Sequence, residues 1–270
     1  MKIDSLKLIY FSPTDATKKI IESIARGIEC STVEIVDITK KEIRQQQIQP
    51  SSNQLLVIGV PVYGGRIPTL ALEWLQKFKV HNTPTVCIVV YGNREYDDAL
   101  LELKNTVLES GCKPIAYAAY IGEHSFSNSE TPIASARPDA KDLIHAKSFG
   151  EKIKDKLLTI SSLNDITDIT VPGNYPYIKL PDATSKNASI DFIEIGTSCS
   201  HCGICAIACP VGAINFKNNT FMDTNTCIQC CACIKKCPKK ARTIKDGIVK
   251  NHAIQLSQSY QLRKEPVIFL

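Results

Sequence analysis

Leu55-Leu56-Val57-Ile58-Gly59-Val60 is an unbroken apolar run, closed by Pro61. A strand with one wet face alternates apolar and polar residues, so a strand apolar throughout is buried on both faces. Sheets reach that state when helices connect parallel strands, so the run predicts an α/β domain. The flanking chain agrees. Upstream, Leu6 to Phe11 and Val33 to Ile38 read as strands, separated by helical spacing at Ile20, Ile21, Ile24, Ala25 and Ile28. Downstream, Thr85 to Val90 and Ile115 to Tyr120 read as strands, with helices over 69–79, 97–109 and 139–158. Residues 1–158 are therefore expected to form a doubly wound five-stranded parallel sheet, suited to the order 2-1-3-4-5.

Ligands of such sheets bind at the carboxyl ends of the strands, which directs attention to four loops. Ser12-Pro13-Thr14-Asp15-Ala16-Thr17 carries three hydroxyls at a helix N-terminus, where free N–H groups and the dipole favour a phosphate. The same residues also suit an ordinary helix cap. Pro61-Val62-Tyr63-Gly64-Gly65-Arg66 offers an aromatic face and a backbone that a flat ligand can approach. Tyr91-Gly92-Asn93-Arg94-Glu95-Tyr96-Asp97 is aromatic and polar, and also suits a solvated turn. Gly122-Glu123-His124-Ser125 opens a long irregular stretch, with His124 either a binding or a structural residue.

The second half is organised by cysteine. Of 12 cysteines in 270 residues, nine lie between Cys199 and Cys237. Cys199, Cys202, Cys205 and Cys209 precede Pro210, and Cys227, Cys230, Cys233 and Cys237 precede Pro238, at a constant offset of 28 residues. This internal duplication predicts two similar halves. Three thiolates within seven residues wrap one face of a cubane, and the fourth, at the next turn, reaches the other cluster. Cys199, Cys202, Cys205 and Cys237 are thus assigned to one 4Fe–4S cluster, and Cys227, Cys230, Cys233 and Cys209 to the other. Structural zinc, with two C-x2-C pairs round one ion, fits this spacing poorly. Cys231 falls outside the repeat, opposite Gly203, and is not expected to be a ligand. Cys30, Cys87 and Cys112 read as buried free thiols.

Composition excludes several classes. The hydrophobic share of 44% argues against disorder, and the longest apolar run, Leu55 to Val62, is too short to span a membrane. The charged start, Met1-Lys2-Ile3-Asp4, argues against a signal peptide, so a reducing, cytoplasmic setting is expected. Formal charge is +1 over residues 1–158 and +4 over 159–270. Two clusters with their thiolates contribute about −4, so the basic half does not point to nucleic acid. Lys235, Lys236, Lys239, Lys240 and Arg242 read as local counter-charge or a docking face for an acidic redox partner. Residues 159–189 are expected to be a linker or extension, 190–250 the two-cluster domain, and 251–270 an apolar tail that docks back on the first domain.

These features resemble two known families. The first loop is similar to the Ser/Thr-x-Thr-Gly-x-Thr phosphate loop of flavodoxins, with Ser12, Thr14 and Thr17 matching and Asp15 standing where glycine is usual. A carboxylate beside a phosphate is repulsive unless it points away, although Asp tolerates the left-handed backbone of that position. Residues 190–245 resemble bacterial two-cluster ferredoxins. The whole chain looks like the flavodoxin–ferredoxin fusion proteins of anaerobes, on its matches at 10–14, 61–66, 122–125 and 199–238. That resemblance implies FMN, held by Ser12, Thr14, Asp15, Ala16, Thr17, Pro61, Val62, Tyr63, Gly64, Gly65, Tyr91, Gly92, Asn93, Arg94, Tyr96, Asp97 and His124, and two 4Fe–4S clusters. It implies an electron carrier that passes electrons between FMN, the clusters and an external redox protein. The alternatives are an FMN-dependent reductase of a quinone or nitro compound, a ferredoxin on a flavin-free scaffold (motivated by Asp15), and a redox sensor using Cys231 or cluster loss.

Overall fold

The computed structural model describes residues 1–50, 53–179 and 190–270. Strands and helices alternate from the N-terminus as β1 (Ser5–Tyr10), α1 (Ala16–Ile28), β2 (Val33–Asp37), α2 (Lys41–Arg44), β3 (Gln54–Pro61), α3 (Thr69–Lys77), β4 (Thr83–Tyr91), α4 (Ala99–Glu109), β5 (Cys112–Ile121) and α5 (Ala140–Thr159). β2, β1, β3, β4 and β5 lie side by side in that order, all parallel, which is the flavodoxin-like arrangement.

The apolar run of β3 divides by parity. Leu55 and Val57 pack with Ile20, Ile24, Phe149 and Ile153 of α1 and α5. Leu56, Ile58 and Val60 pack on the other face with Trp74, Leu75, Leu100 and Leu103 of α3 and α4. Each such side chain contributes about 1.5–3 kcal/mol on full burial. Helices α1 and α5 meet at glycines: a Cβ on Gly150 would lie 2.1 Å from the Ile24 carbonyl oxygen, and one on Gly27 1.9 Å from that of Lys147.

The structure adds a sixth strand to the five expected. This strand, β8 (Val267–Phe269), pairs antiparallel with β5, Ala118 opposite Ile268, and covers the sheet edge. A helix, α8 (Ile248–Ser259), precedes this strand. The extension after α5 runs beside α4. Lys104 Nζ donates to Asp168 Oδ2 and to the Ile169 carbonyl, both at 2.8 Å. The Asp98 carboxylate accepts N–H groups of Asn174 at 2.8 Å and Ile178 at 2.6 Å. Residues 180–189 of the expected linker, and 51–52, lie outside the described residues.

The cysteine-rich segment contains β6 (Ile193–Ile195), α6 (Ile204–Ile207), α7 (Ala232–Lys235) and β7 (Arg242–Ile244), with β6 and β7 antiparallel. Its duplication extends to the backbone. The 28-residue offset relates pairs with positive φ: His201 (53°) and Gln229 (55°), Gly203 (75°) and Cys231 (56°), and Gly212 (70°) and Lys240 (49°). Cys231 thus occupies, at some steric cost, a left-handed helix-start position that is glycine in the first repeat.

Candidate cofactor sites

A cavity of about 520 Å³ opens at the carboxyl ends of β1, β3, β4 and β5. Of the residues expected to bind a flavin, Ser12, Thr14, Ala16, Thr17, Pro61, Val62, Tyr63, Gly64, Tyr91, Gly92, Arg94 and His124 line it. The first-turn N–H groups of α1 have no intrahelical acceptor, so that end of the cavity presents donors. Ser12 Oγ shapes the loop by accepting the Lys18 N–H at 3.0 Å.

Five expected residues do not line the cavity. Asp15 adopts the left-handed conformation (φ 65°) and turns outward, where its Oδ1 accepts from Lys236 Nζ at 3.0 Å. Asn93 is buried and donates from Nδ2 to the carbonyls of Tyr260 and Leu262 at 2.7 and 3.0 Å, fastening the end of α8. Asp97 pairs with Arg94, and Gly65 packs against Asp97. Tyr96 packs on Tyr91, with ring centroids 5.4 Å apart. These residues support the lining and do not form it.

His124 lies across Gly92, where a Cβ would sit 2.3 Å from its Cδ2. Its Nδ1 accepts the Phe126 N–H at 3.1 Å, which leaves the proton on Nε2 in the neutral ring. Burial, with His252, Lys235 and Arg94 nearby, pushes the imidazole pKa down to about 4, so the ring is neutral near pH 7. Burial also pushes the Tyr91 hydroxyl up to about 12, and Tyr63 well above its ordinary value, the latter aided by Cys230 and Cys231. Both tyrosines are therefore neutral faces.

The cavity also has walls that sequence reasoning does not anticipate: Phe126, Ile228, Gln229, and His252 and Leu256 of α8. Ile228 and Gln229 lie between Cys227 and Cys230, more than a hundred residues from the loops they cover. No local pattern announces such a contact, although the apolar Ile228 between two cysteines is a weak signal.

Two smaller cavities carry the cysteines. One is lined by Cys199, Cys202, Cys205 and Cys237, the other by Cys209, Cys227, Cys230 and Cys233. The backbone N–H of Ala213 donates to Cys209 Sγ and that of Ala241 to Cys237 Sγ, each at 3.3 Å and related by the same repeat. Burial pushes the Cys230 and Cys233 thiols up to about 12, so a thiolate there needs the positive charge of a metal to form. Among the described residues no three of His, Cys, Asp and Glu close on a single metal ion. Cys231 also lines the second cavity, but its thiol donates to the Gln229 carbonyl, with sulfur and oxygen 3.7 Å apart. His201 is exposed and pairs with Asn219 at 3.2 Å. Cys87 and Cys112 are buried in the sheet, away from both sets.

The basic residues beside the cysteines are partly absorbed within the chain. Lys235 Nζ reaches Glu123 Oε1 and the Ser127 carbonyl, both at 2.6 Å, and Lys236 reaches Asp15. The acidic partner of these two lysines is the first domain itself. Arg242 is buried, donates to the Asn219 carbonyl and lines the Cys199 cavity.

Comparison with known proteins gives a partial match. A 4Fe-4S binding domain family matches residues 196–215. No curated protein matches the chain. Among solved structures, a flavodoxin from the domain Archaea is 15% identical, covering 57% of this chain and 99% of that one at a TM-score of 0.37. A Streptococcus pneumonia TIGR4 flavodoxin is 12% identical over 56% of this chain and 99% of its own, at 0.40. A Fusobacterium nucleatum flavodoxin bound to flavin mononucleotide is 13% identical over 56% and 98%, at 0.38. The fold assignment rests on the strand order and its parallel register. No helix among the described residues is long and apolar enough to cross a membrane.

Proposed function

We propose that this chain transfers electrons between FMN in the main cavity and two 4Fe–4S clusters, and exchanges them with an external redox protein. The observation that carries the proposal is Ile228, which lines both the main cavity and the cavity of Cys209, Cys227, Cys230 and Cys233.

The residues suit both groups. A volume of about 520 Å³ lies within the usual range for cofactor sites, and the carboxylate of Asp15 faces away from it. The cysteines surround cavities instead of meeting at a point, as a cubane requires and a tetrahedral zinc ion does not. When bound, FMN supplies one- and two-electron chemistry and each cluster supplies one-electron chemistry.

The chain's own residues then have distinct tasks. Thr14, Thr17 and the start of α1 offer donors to a phosphate. Tyr63 and Tyr91 offer neutral aromatic faces to a flat ring. His124 holds its proton on Nε2 and stays uncharged. Phe126 and Leu256 give the main cavity an apolar wall, and Ile228 lines both it and the neighbouring cysteine cavity. Ala213 and Ala241 N–H groups stabilise negative charge on sulfur, which raises a cluster's reduction potential.

Anaerobic reconstitution should load about eight irons and one flavin per chain. Reduction of the clusters should then bleach the flavin absorbance. A fully loaded protein whose flavin stays oxidised beside reduced clusters would sink the proposal.

A further inference from the structure

We infer that the face around Cys199, Cys202, Cys205 and Cys237 is the docking surface for an acidic protein that exchanges single electrons with the chain. This rests on the electron-transfer reading above, and adds where the partner binds and what charge it carries.

The two cysteine sets differ in their surroundings. In the set facing the main cavity, Cys230 and Cys233 are buried, and the loop carrying Ile228 and Gln229 is closed over by the first domain. The other set faces outward. Cys202 is exposed, and every residue lining its cavity comes from the stretch 199–242. Phe216, 63% exposed, lies against Gly203, whose added Cβ would be 2.8 Å from its ring. Ile207 of α6 is 74% exposed. Apolar side chains this exposed beside a ligand loop offer a contact from which a docked partner excludes water.

The stretch that builds this face is predominantly basic. Residues 196–245 contain Lys217, Lys235, Lys236, Lys239, Lys240, Arg242 and Lys245 against Asp223 alone. Lys235, Lys236 and Lys245 are engaged by Glu123, Asp15 and Asp191, and Arg242 is buried. Lys217, Lys239 and Lys240 are exposed and have no acidic partner among the described residues, and Lys239 borders the Cys199 cavity itself. Unpaired lysines on a stretch that also exposes Phe216 and Ile207 complement a partner with carboxylates round its own redox centre, and such pairs associate by electrostatic steering.

In the delivering direction, one electron leaves the partner's reduced centre and enters the iron–sulfur group held by the Cys199 set. The partner is oxidised by one electron and the chain reduced by one, with no proton or atom exchanged. The reverse transfer uses the same face.

The test uses reconstituted protein and a purified acidic 2Fe–2S ferredoxin as probe. Carbodiimide coupling followed by peptide mapping should place the cross-links at Lys239, Lys240 or Lys217. The rate at which the reduced probe reduces the chain should fall about tenfold or more between low and physiological ionic strength. The pair Lys239→Glu and Lys240→Glu should lower the low-salt rate about tenfold and leave reduction by dithionite unchanged. Lys152→Glu, on α5, should change neither rate. Cross-links confined to the first 159 residues, or a rate indifferent to Lys239→Glu and Lys240→Glu, would overturn the inference. Iron content, flavin content and internal transfer are measured beforehand, so a failure of the electron-transfer reading is seen separately from a failure of the docking face.

Discussion

His124 couples the cavity to pH. Burial holds its pKa at about 4 against an ordinary 6.5, so between these values the unfolded chain binds a proton that the folded chain does not. The stability associated with the neutral ring is complete above about pH 6.5 and is lost as pH falls towards 4. Urea unfolding followed by the single tryptophan, Trp74, should therefore show a smaller loss between pH 7 and pH 5 in His124→Gln than in the natural chain. Asp15 is the second residue with a defined consequence. Its ion pair with Lys236 is partly exposed, so Asp15→Asn should cost no more than about 1 kcal/mol. Its carboxylate points away from the cavity, so FMN affinity of that variant, measured by fluorescence titration, should stay within about threefold. A tenfold tightening would revive the idea of a loop that repels phosphate.

At the level of elements, the close crossing of α1 and α5 is the sharpest packing constraint. Gly150→Ala would drive a methyl into the Ile24 carbonyl and should cost about 1–3 kcal/mol or more, read as a lowered thermal midpoint. β8 matters in another way. Ile268→Asp should weaken its pairing with β5 and expose a long apolar edge, seen as aggregation on mild heating. The parallel strands are legible in sequence because burial on both faces leaves a continuous apolar run, as in Leu55 to Val60. β8 is less so: three residues after Pro266 are too few for a period, and only their apolar character can be read. The cysteine sets are legible through spacing. The pocket walls Ile228, Gln229, His252 and Leu256 are not, because periodicity reports burial and not which distant surface buries a residue. The Asn93 loop escapes sequence reading for a related reason, since polar loop residues look alike in sequence whether they face a ligand or fasten a helix end.

For the whole molecule, a few polar contacts round the shared Ile228 wall set how the cysteine-rich module sits on the first domain. Lys235 makes two of them, so Lys235→Ala should loosen the junction and slow internal electron transfer in a loaded protein, measured by stopped flow, while iron and flavin content stay unchanged. Ser257 Oγ donates to the Pro132 carbonyl at 2.9 Å, and Lys264 Nζ donates to the Arg94 carbonyl at 2.6 Å, so the chain beyond the cysteines is fastened to the first domain as well.

Because the chain returns through α8 and β8, the cysteine-rich module is anchored covalently at both ends, where a simple fusion would hold it by one. It is topologically an insertion, not an appendage. A pendulum on a single linker samples many distances from its host, whereas a segment tied at both ends samples few. One proteolytic nick in residues 159–190 should therefore leave both fragments migrating together on a sizing column. Exchange of this module for a ferredoxin would require two matched seams, the second of them inside the sheet of the first domain.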